Sequence, residues 1–344
     1  DAVRARSLLG RYVTAFPPSY QDDVEPAAAL ADIAALERLQ SAAPAALMLA
    51  LRCAAPANRL HLRIARKGEA IAISALLPVL ENFGLRVLGE RSYAIGGLPG
   101  GAAAVQDFEL EYLGGVLDVG RAGARFEAAL LAVWQGELED DGFNRLLFAA
   151  GLTGREIVVL RACCRFLLQA GVPFSRASME RALLAEPRSA ALLLRLFRES
   201  FDPDLPARGR EARRRRVLAQ IEARFERVGS ADDDRILRSC LAVLRAALRT
   251  NYYRRDAQGR PPATFALKLD ARQIGELPQP RPLFEIYVYS PEVEGVHLRM
   301  GPVARGGLRW SDRRDDFRTE VLGLMKAQNV KNTLIVPAGA KGGF

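Results

Sequence analysis

Hydrophobic positions along this chain switch between a helical period and strict alternation, and the switches divide it into segments. Residues 1–45 read as two helices split by Phe16-Pro17-Pro18-Ser19-Tyr20, with Asp22 and Asp23 favouring the start of the second, Pro26 to Gln40. From about residue 46 the period shortens. Leu47 to Arg52 and Leu60 to Ile64 are strand patterns, the second alternating cleanly. Ser74 is placed to cap a helix through Leu76, Leu77, Val79 and Leu80 that stops at Gly84 in a left-handed position. Strand patterns return at Leu85 to Leu88 and Phe108 to Tyr112, on either side of the glycine-rich stretch Gly96 to Gly101. That order predicts a small α+β sandwich, a sheet with the Ser74–Phe83 helix on one face and Leu76, Leu80 and Phe83 buried.

Residues 123–250 carry helical spacing throughout, as in Leu130, Leu131 and Trp134, then Ile157, Leu160, Cys164 and Leu167. Pro173 with Ser175, Pro187 with Ser189, and Ser230 ahead of Asp232 and Asp233 mark helix starts. The last of these helices carries Ile236, Leu237, Cys240, Leu241, Leu244 and Leu248. Beyond residue 250, Gly259 to Pro262 is a turn and Pro278, Pro280 and Pro282 form a stiff linker. Phe265 to Leu269, Phe284 to Tyr289 and His297 to Arg299 are strands. A helix from Phe317 to Val330, a strand at Thr333 to Val336 and a glycine loop through Lys341 follow. The pattern predicts an α+β multidomain chain: a helical segment over 1–45, the sandwich over 46–120, a helical domain over 121–255 and an α/β part over 256–344.

Composition narrows the class. Apolar residues make up 49% and charged ones 26%, the balance of a globular protein, and no apolar run reaches the roughly 18 residues of a membrane span. Cys53, Cys163, Cys164 and Cys240 with His61 and His297 show no metal-ligand spacing, so no metal site is expected and the thiols read as buried in a reducing compartment. Cys164 belongs to an apolar stripe and reads as core. The formal charge of +9 raises nucleic acid as a partner, and part of that excess sits in Arg208 to Arg216. This run leads into the helical pattern Val217 to Glu222, with acidic residues a turn away and no aromatics for base stacking, so it reads as a solvated helix face. The start at Asp1 and the stop at Phe344 both read as cut ends.

Candidate chemistry concentrates in the last 45 or so residues. Arg305 precedes Gly306-Gly307-Leu308-Arg309, Gln328 and Lys331 share one helix face, and Gly339, Gly342 and Gly343 surround Lys341. Glycines admit a ligand close to backbone N–H groups, and cations facing them make a pocket for a carboxylate or a phosphate. Composition does not choose between these anions. The phosphate-loop pattern is unmatched, because Gly342 stands where Ser or Thr is needed. Arg309, Arg313, Arg314 and Arg318 with Asp312, Asp315, Asp316 and Glu320 read as a solvated or subunit-facing charge network, and His297 as structural.

A resemblance selects among these readings. Phe284 to Pro291, Val293 to Arg299, Ala304 to Arg318 and Glu320 to Phe344 resemble the large NAD-specific glutamate dehydrogenases of bacteria. Phe16 to Tyr20, Leu77 to Leu85 and Arg249 to Tyr252 resemble their regulatory half. The smaller hexameric enzymes have a similar sequence of motifs: lysine-Gly-Gly-(Leu/Met)-Arg, Gln-x-x-Lys and Gly-Gly-x-Lys-Gly-Gly. Matched to Arg305–Arg309, Gln328–Lys331 and Gly339–Gly343, they imply that Arg305 and Lys331 hold substrate carboxylates, that Gly306 and Gly307 line the site and that Gln328 adds a hydrogen bond. Lys341 is then the catalytic lysine. Arginine at 305 in place of lysine keeps a carboxylate ligand, while Ala338 replaces one glycine of the loop.

The same resemblance implies an ACT-like regulatory domain over 46–120 that takes an amino-acid effector, a cytoplasmic homo-oligomer, and L-glutamate and 2-oxoglutarate as substrate and product. No G-x-G-x-x-G follows a strand, so NAD is expected on a domain outside this chain, which would be inactive alone. The competing class is a non-enzymatic module, either an amino-acid sensor built on 46–115 or a basic nucleic-acid binder. No membrane partner is expected.

Overall fold

Prolines set the first helices. A computed structural model describes residues 2–43, 46–331 and 338–344, and divides into two units, Asp1–Leu131 and Ala132–Phe344. In the first, α1 (Ala2–Tyr12) is followed by a short α2 (Pro18–Asp23) and by α3 (Pro26–Gln40). Pro18 and Pro26 occupy first helical positions, where the missing N–H costs nothing. The Phe16–Tyr20 stretch expected to be a plain break therefore opens a helix of its own.

Four strands, β1 (Leu47–Cys53), β2 (Arg59–Lys67), β3 (Leu85–Ile95) and β4 (Ala103–Tyr112), form an antiparallel sheet in the order β1-β2-β4-β3. All four were expected, although β3 and β4 are longer, because each supplies the other's ladder up to the glycine tip. Gly97 and Gly101 in that tip have positive φ, which supports the hairpin reading of Gly96 to Gly101. The helix α4 (Ile73–Asn82) packs on β3 and buries Leu76, Leu80 and Phe83, as expected. Gly84 follows it at φ 80°.

Ser74 does not cap this helix. It lies within the first turn, and no side chain caps the entry at Ala72. Gln106 of β4 holds the approach instead, accepting from the Ile71 N–H at 2.7 Å and donating to the Ile71 carbonyl at 3.0 Å. The sheet is also not covered on one face only. Tyr12, Phe16, Tyr20, Leu36 and Leu39 of the N-terminal segment form a core with Ala65, Tyr93, Ile95 and Val105. Buried Asp32 on α3 accepts from Tyr20 Oη at 2.6 Å and from Arg63 Nη1 at 2.8 Å, which ties those helices to β2.

The second unit takes over within α5 (Val119–Trp134) and continues through α6 (Leu146–Ala149), α7 (Gly154–Gln169), α8 (Arg176–Ala185), α9 (Pro187–Phe201), α10 (Arg210–Phe225) and α11 (Ala231–Ala246). Thr153 and Glu156 form a capping box for α7, and Ser175 and Ser230 cap α8 and α11. Ser189 lies inside α9, which starts at Pro187. Cys164 and Cys240 meet in the core with sulfurs 3.8 Å apart; that contact, then burial, pushes the Cys164 thiol well up and leaves it inert.

The Arg208–Arg216 run lies at the solvated start of α10, as expected, with Arg208, Arg215 and Arg216 exposed and Arg210, Arg213 and Arg214 half-buried. Arg210 donates to the carbonyls of Ser200, Asp202 and Leu205, Arg213 pairs with Glu199 at 2.7 Å, and Arg214 with Glu211 at 3.3 Å.

Helical structure stops short of the expected residue 250. The chain turns extended at Ala247, and β5 (Ala247–Thr250) leaves α11 directly to pair with β6 (Phe265–Leu269). Asn251 fixes the join, donating to the Thr264 carbonyl and accepting from the Ala266 N–H. Beyond β6 come β7 (Phe284–Tyr289), β8 (Glu294–Arg299), the short β9 (Ala304–Arg305) and β10 (Leu308–Arg309), α12 (Phe317–Lys331) and β11 (Ala338–Gly343). The described strands make one sheet in the order β10-β11-β8-β7-β6-β5, with β9 also on β11. The strand expected at Thr333 to Val336 lies outside the described residues.

One buried ion pair anchors α12 to this sheet. Arg318 and Glu285 are both fully buried and joined by two hydrogen bonds of 2.7 Å. Removing one partner strands the other charge away from water, at a cost of about 3–5 kcal/mol. Glu285→Gln is therefore expected to lower the urea-unfolding stability by at least about 3 kcal/mol. The double replacement Glu285→Leu with Arg318→Met is expected to recover most of that loss. A single variant within about 1 kcal/mol of wild type would mean that water or another group reaches the stranded arginine.

Candidate functional site

Residues Ala338 to Gly343 form a strand with partners on both edges, and the glycine loop expected there is absent. Along one edge β11 runs antiparallel to β8, with Ala340 opposite Arg299, Lys341 opposite Leu298 and Gly342 opposite His297. Along the other it runs parallel to β9 and β10, with Gly339 opposite Arg305 and Gly342 opposite Leu308. Nothing in an Ala-Gly-Ala-Lys-Gly-Gly segment favours a strand by propensity. Its neighbours impose the extended form, and the glycines make that possible by letting backbones come close.

A Cβ added to Gly306 would lie 1.5 Å from the Ala340 carbonyl oxygen. At Gly342 it would meet Leu308 Cδ2 at 2.3 Å, and at Gly343 it would meet Val321 Cγ2 of α12 at 2.5 Å. Gly307 differs, because the nearest atom to its added Cβ is Lys341 Nζ, at 4.0 Å. The lysine amine therefore lies beside the Gly307 backbone, and the Gly342 N–H donates to the Gly307 carbonyl at 3.0 Å.

The expected site residues fall into place around this strand as follows. Lys341 is half-buried on β11. Arg305 is exposed at the end of β9, in register with Gly339, and Gly306 and Gly307 follow it. Gln328 is half-buried on α12, which packs on β11 and β8. Lys331 is the last residue of α12, and its side chain lies outside what is described. His297 is half-buried in the β8 ladder beside Gly342, and burial, then Arg299, lowers its pKa below the usual histidine range. This is consistent with a structural, neutral imidazole.

The charge cluster divides. Arg309 pairs with Glu320 at 3.0 Å, Ser311 Oγ donates to Glu320 at 2.6 Å, and exposed Arg313 pairs with Asp316. Arg318 is no part of a solvated network. It faces inward with Phe317, Val321, Leu322 and Met325, all buried. The spacing 318, 321, 322, 325 is an unbroken helical stripe, and it is the signal that could have placed this arginine in the core. Trp310 is exposed, with its ring edge-on to Phe344 at 5.6 Å.

Comparison with known proteins bears on the whole chain. Residues 220–344 match the family model for the bacterial NAD-glutamate dehydrogenase catalytic domain. Residues 138–203 match glutamate dehydrogenase helical motif 3, residues 44–122 its ACT3 domain and residues 2–39 its helical motif 2. Proteins named NAD-specific glutamate dehydrogenase are similar along nearly the full chain. That of Halomonas elongata is 42% identical over 343 residues, covering 99% of this chain and 21% of the relative. That of Pseudomonas aeruginosa is 40% identical over 345 residues, with coverage of 99% and 21%. That of Mycobacterium tuberculosis is 42% identical over 340 residues, with coverage of 97% and 21%. The chain thus spans about a fifth of the length of the curated relatives it matches.

The steric contrast between the two adjacent glycines is directly testable. Gly306→Ala forces the β11 backbone aside and is expected to cost at least about 2 kcal/mol in thermal or urea unfolding. Gly307→Ala meets only an ordinary contact and is expected to stay within about 0.5 kcal/mol of wild type. Equal effects of the two would show that β11 does not pass against Gly306 as described.

Proposed function

We propose that this chain, which belongs to the bacterial NAD-glutamate dehydrogenases, supplies the glutamate-binding wall and the lysine base of an oxidative deamination completed by a longer polypeptide. The observation that carries the reading is the convergence at β11, where the Lys341 amine lies beside the backbone of Gly307 and Arg305 is tied in through Gly339. Glutamate presents two carboxylates and an amine. Arg305 and Lys331 hold the carboxylates, Arg305 with its two-pronged guanidinium, and Gln328 adds a hydrogen bond. Bare backbone at Gly306 and Gly307 lets the substrate come close to Lys341.

Loss of hydride from the substrate Cα leaves an iminium carbon that water must attack to release ammonia and 2-oxoglutarate. Lys341 takes the proton from that water. NAD accepts the hydride in this family's reaction, but the residues described here do not fit it. The parallel crossover β10-α12-β11 enters its helix through Trp310-Ser311-Asp312-Arg313-Arg314-Asp315-Asp316. This connection has no glycine and carries three aspartates where a pyrophosphate would lie. We place NAD on a part of the polypeptide outside these residues, and the ACT-like region over 46–120 as the seat of an amino-acid effector. The working enzyme is then a cytoplasmic homo-oligomer.

Two substitutions in the full-length enzyme separate the roles. Lys341→Arg keeps the charge but gives no usable base, so kcat is expected to fall by far more than tenfold, a step of about 1.4 kcal/mol. Arg305→Ala removes a carboxylate ligand and is expected to raise KM for glutamate more than it lowers kcat. Steady-state kinetics decide, and turnover within about tenfold of wild type in Lys341→Arg excludes the lysine as base. This 344-residue chain alone is expected to give no glutamate-dependent NADH. Measurable NADH would overturn the placement of NAD elsewhere.

A further inference from the structure

A cleft of about 310 Å³ opens in the second unit between α7, α9 and the segment after β5, on elements that carry none of Arg305, Gln328 or Lys341. Its aromatic floor is Phe197, Tyr252 and Tyr253, with Tyr252 edge-on to Phe197 at 5.3 Å and Tyr253 stacked on it at 6.2 Å. Arg155, Arg198, Glu156 and Asp202 supply the charge around it.

The formal charges balance, but the buried atoms left without a partner are donors. Glu156 accepts from the Thr153 N–H and hydroxyl, both at 2.9 Å, as part of the α7 capping box. Asp202 accepts from the Asp204 N–H at 3.0 Å. Each acid thus has one of its two oxygens engaged locally. Among the described residues, neither Arg155 nor Arg198 makes an ion pair. The Arg155 guanidinium lies 4.5 Å over the Tyr252 ring and donates to the Tyr252 carbonyl, yet its Nε is buried without a partner. The Tyr253 hydroxyl is likewise buried and unpartnered. Burial, then Asp202, pushes that hydroxyl's pKa up, so it remains a donor at any physiological pH.

The buried polar atoms of the cleft that lack a partner, Arg155 Nε and the Tyr253 hydroxyl, are both donors, and a buried donor left unmatched costs about 1–3 kcal/mol. A ligand that completes them carries acceptors and negative charge. The volume lies at the lower end of the 300–1,000 Å³ or so typical of ligand pockets, which selects a small molecule. We propose that this cleft binds a small anion, bearing a carboxylate or a phosphate group, through Arg155, Arg198 and the Tyr253 hydroxyl. The site is separate from the β11 region, and its existence does not depend on the function proposed for that strand.

Titration calorimetry on this chain at low ionic strength tests the proposal, with succinate and inorganic phosphate as probes. At least one is expected to bind with Kd below about 1 mM, and the arm that binds assigns the site to carboxylates or to phosphates. Arg198→Ala removes an exposed side chain that makes no hydrogen bond among the described residues, and Tyr253→Phe keeps the packed ring, so both should fold. Each is expected to weaken binding at least tenfold. Arg305→Ala is expected to leave this binding unchanged. The proposal fails if neither probe binds, if both cleft variants bind normally, or if only Arg305→Ala abolishes binding.

Discussion

Two charges sealed away from water, Arg318 and Glu285, fix where α12 can lie. Their desolvation is offset by paired 2.7 Å bonds between a planar fork and a carboxylate, which leave only Arg318 Nη1 of the fork buried without a partner among the described residues. Any slip of the helix along the sheet would break both bonds at once and leave each charge stranded. Packing of Val321 or Met325 alone would tolerate a shifted register with different neighbours; the ion pair does not. Because α12 also packs on β11, the pair indirectly positions the helix that carries Gln328 against the strand that carries Lys341.

The same device recurs along one face of α7. Arg161, Arg165 and Gln169 are spaced four apart and so form a polar stripe on the helix. Arg161 grips buried Asp141 through two 2.8 Å bonds, and Asp141 together with Glu139 receives Arg176 of α8. Burial pulls the Arg161 pKa down, but Asp141 more than reverses this and holds the guanidinium charged. Glu139 also accepts from Tyr289 of β7. Arg165 pairs with Glu294, which accepts from Tyr287 at 2.8 Å. Gln169 donates to the Arg314 carbonyl and accepts from the Arg318 N–H. Helix and sheet in this unit are thus registered by directional bonds spaced along a single helix, from its middle to its last residue.

How much of this could be read from the chain depends on how local the cause is. Phe265–Leu269 and Phe284–Tyr289 were legible because alternating apolar residues are a local consequence of one buried face. The burial of Leu76, Leu80 and Phe83 was legible for the same reason, through helical spacing. Ser74 misled because capping was assigned locally, whereas the helix entry is held by Gln106, distant in sequence. Arg318 misled by residue type, although its position in the stripe was visible. At the candidate site, the residues Arg305, Gly306, Gly307, Gln328 and Lys341 were picked out by composition and resemblance, but not their geometry. β11 was illegible in a deeper sense, since its strand state comes from β8, β9 and β10 rather than from its own residues.

That last point changes how the candidate site works. A lysine on a glycine loop would owe its position to loop closure, and the glycines would supply flexibility. On a strand paired along both edges, the position of Lys341 is set by the ladder, and the side-chain period places Gly339 and Gly343 on its face with Ala340 and Gly342 on the other. The glycines then act as spacers that permit close approach: Gly306 against the Ala340 carbonyl, Gly342 against Leu308 and Gly343 against α12. Gly307 alone of these borders the lysine amine. Arg305 inherits the same rigidity through the pairing of β9 with Gly339. A cation and a lysine held on neighbouring paired strands keep their separation without a ligand. The roles proposed for these two residues, one holding a carboxylate and the other moving a proton, would draw on such preorganisation.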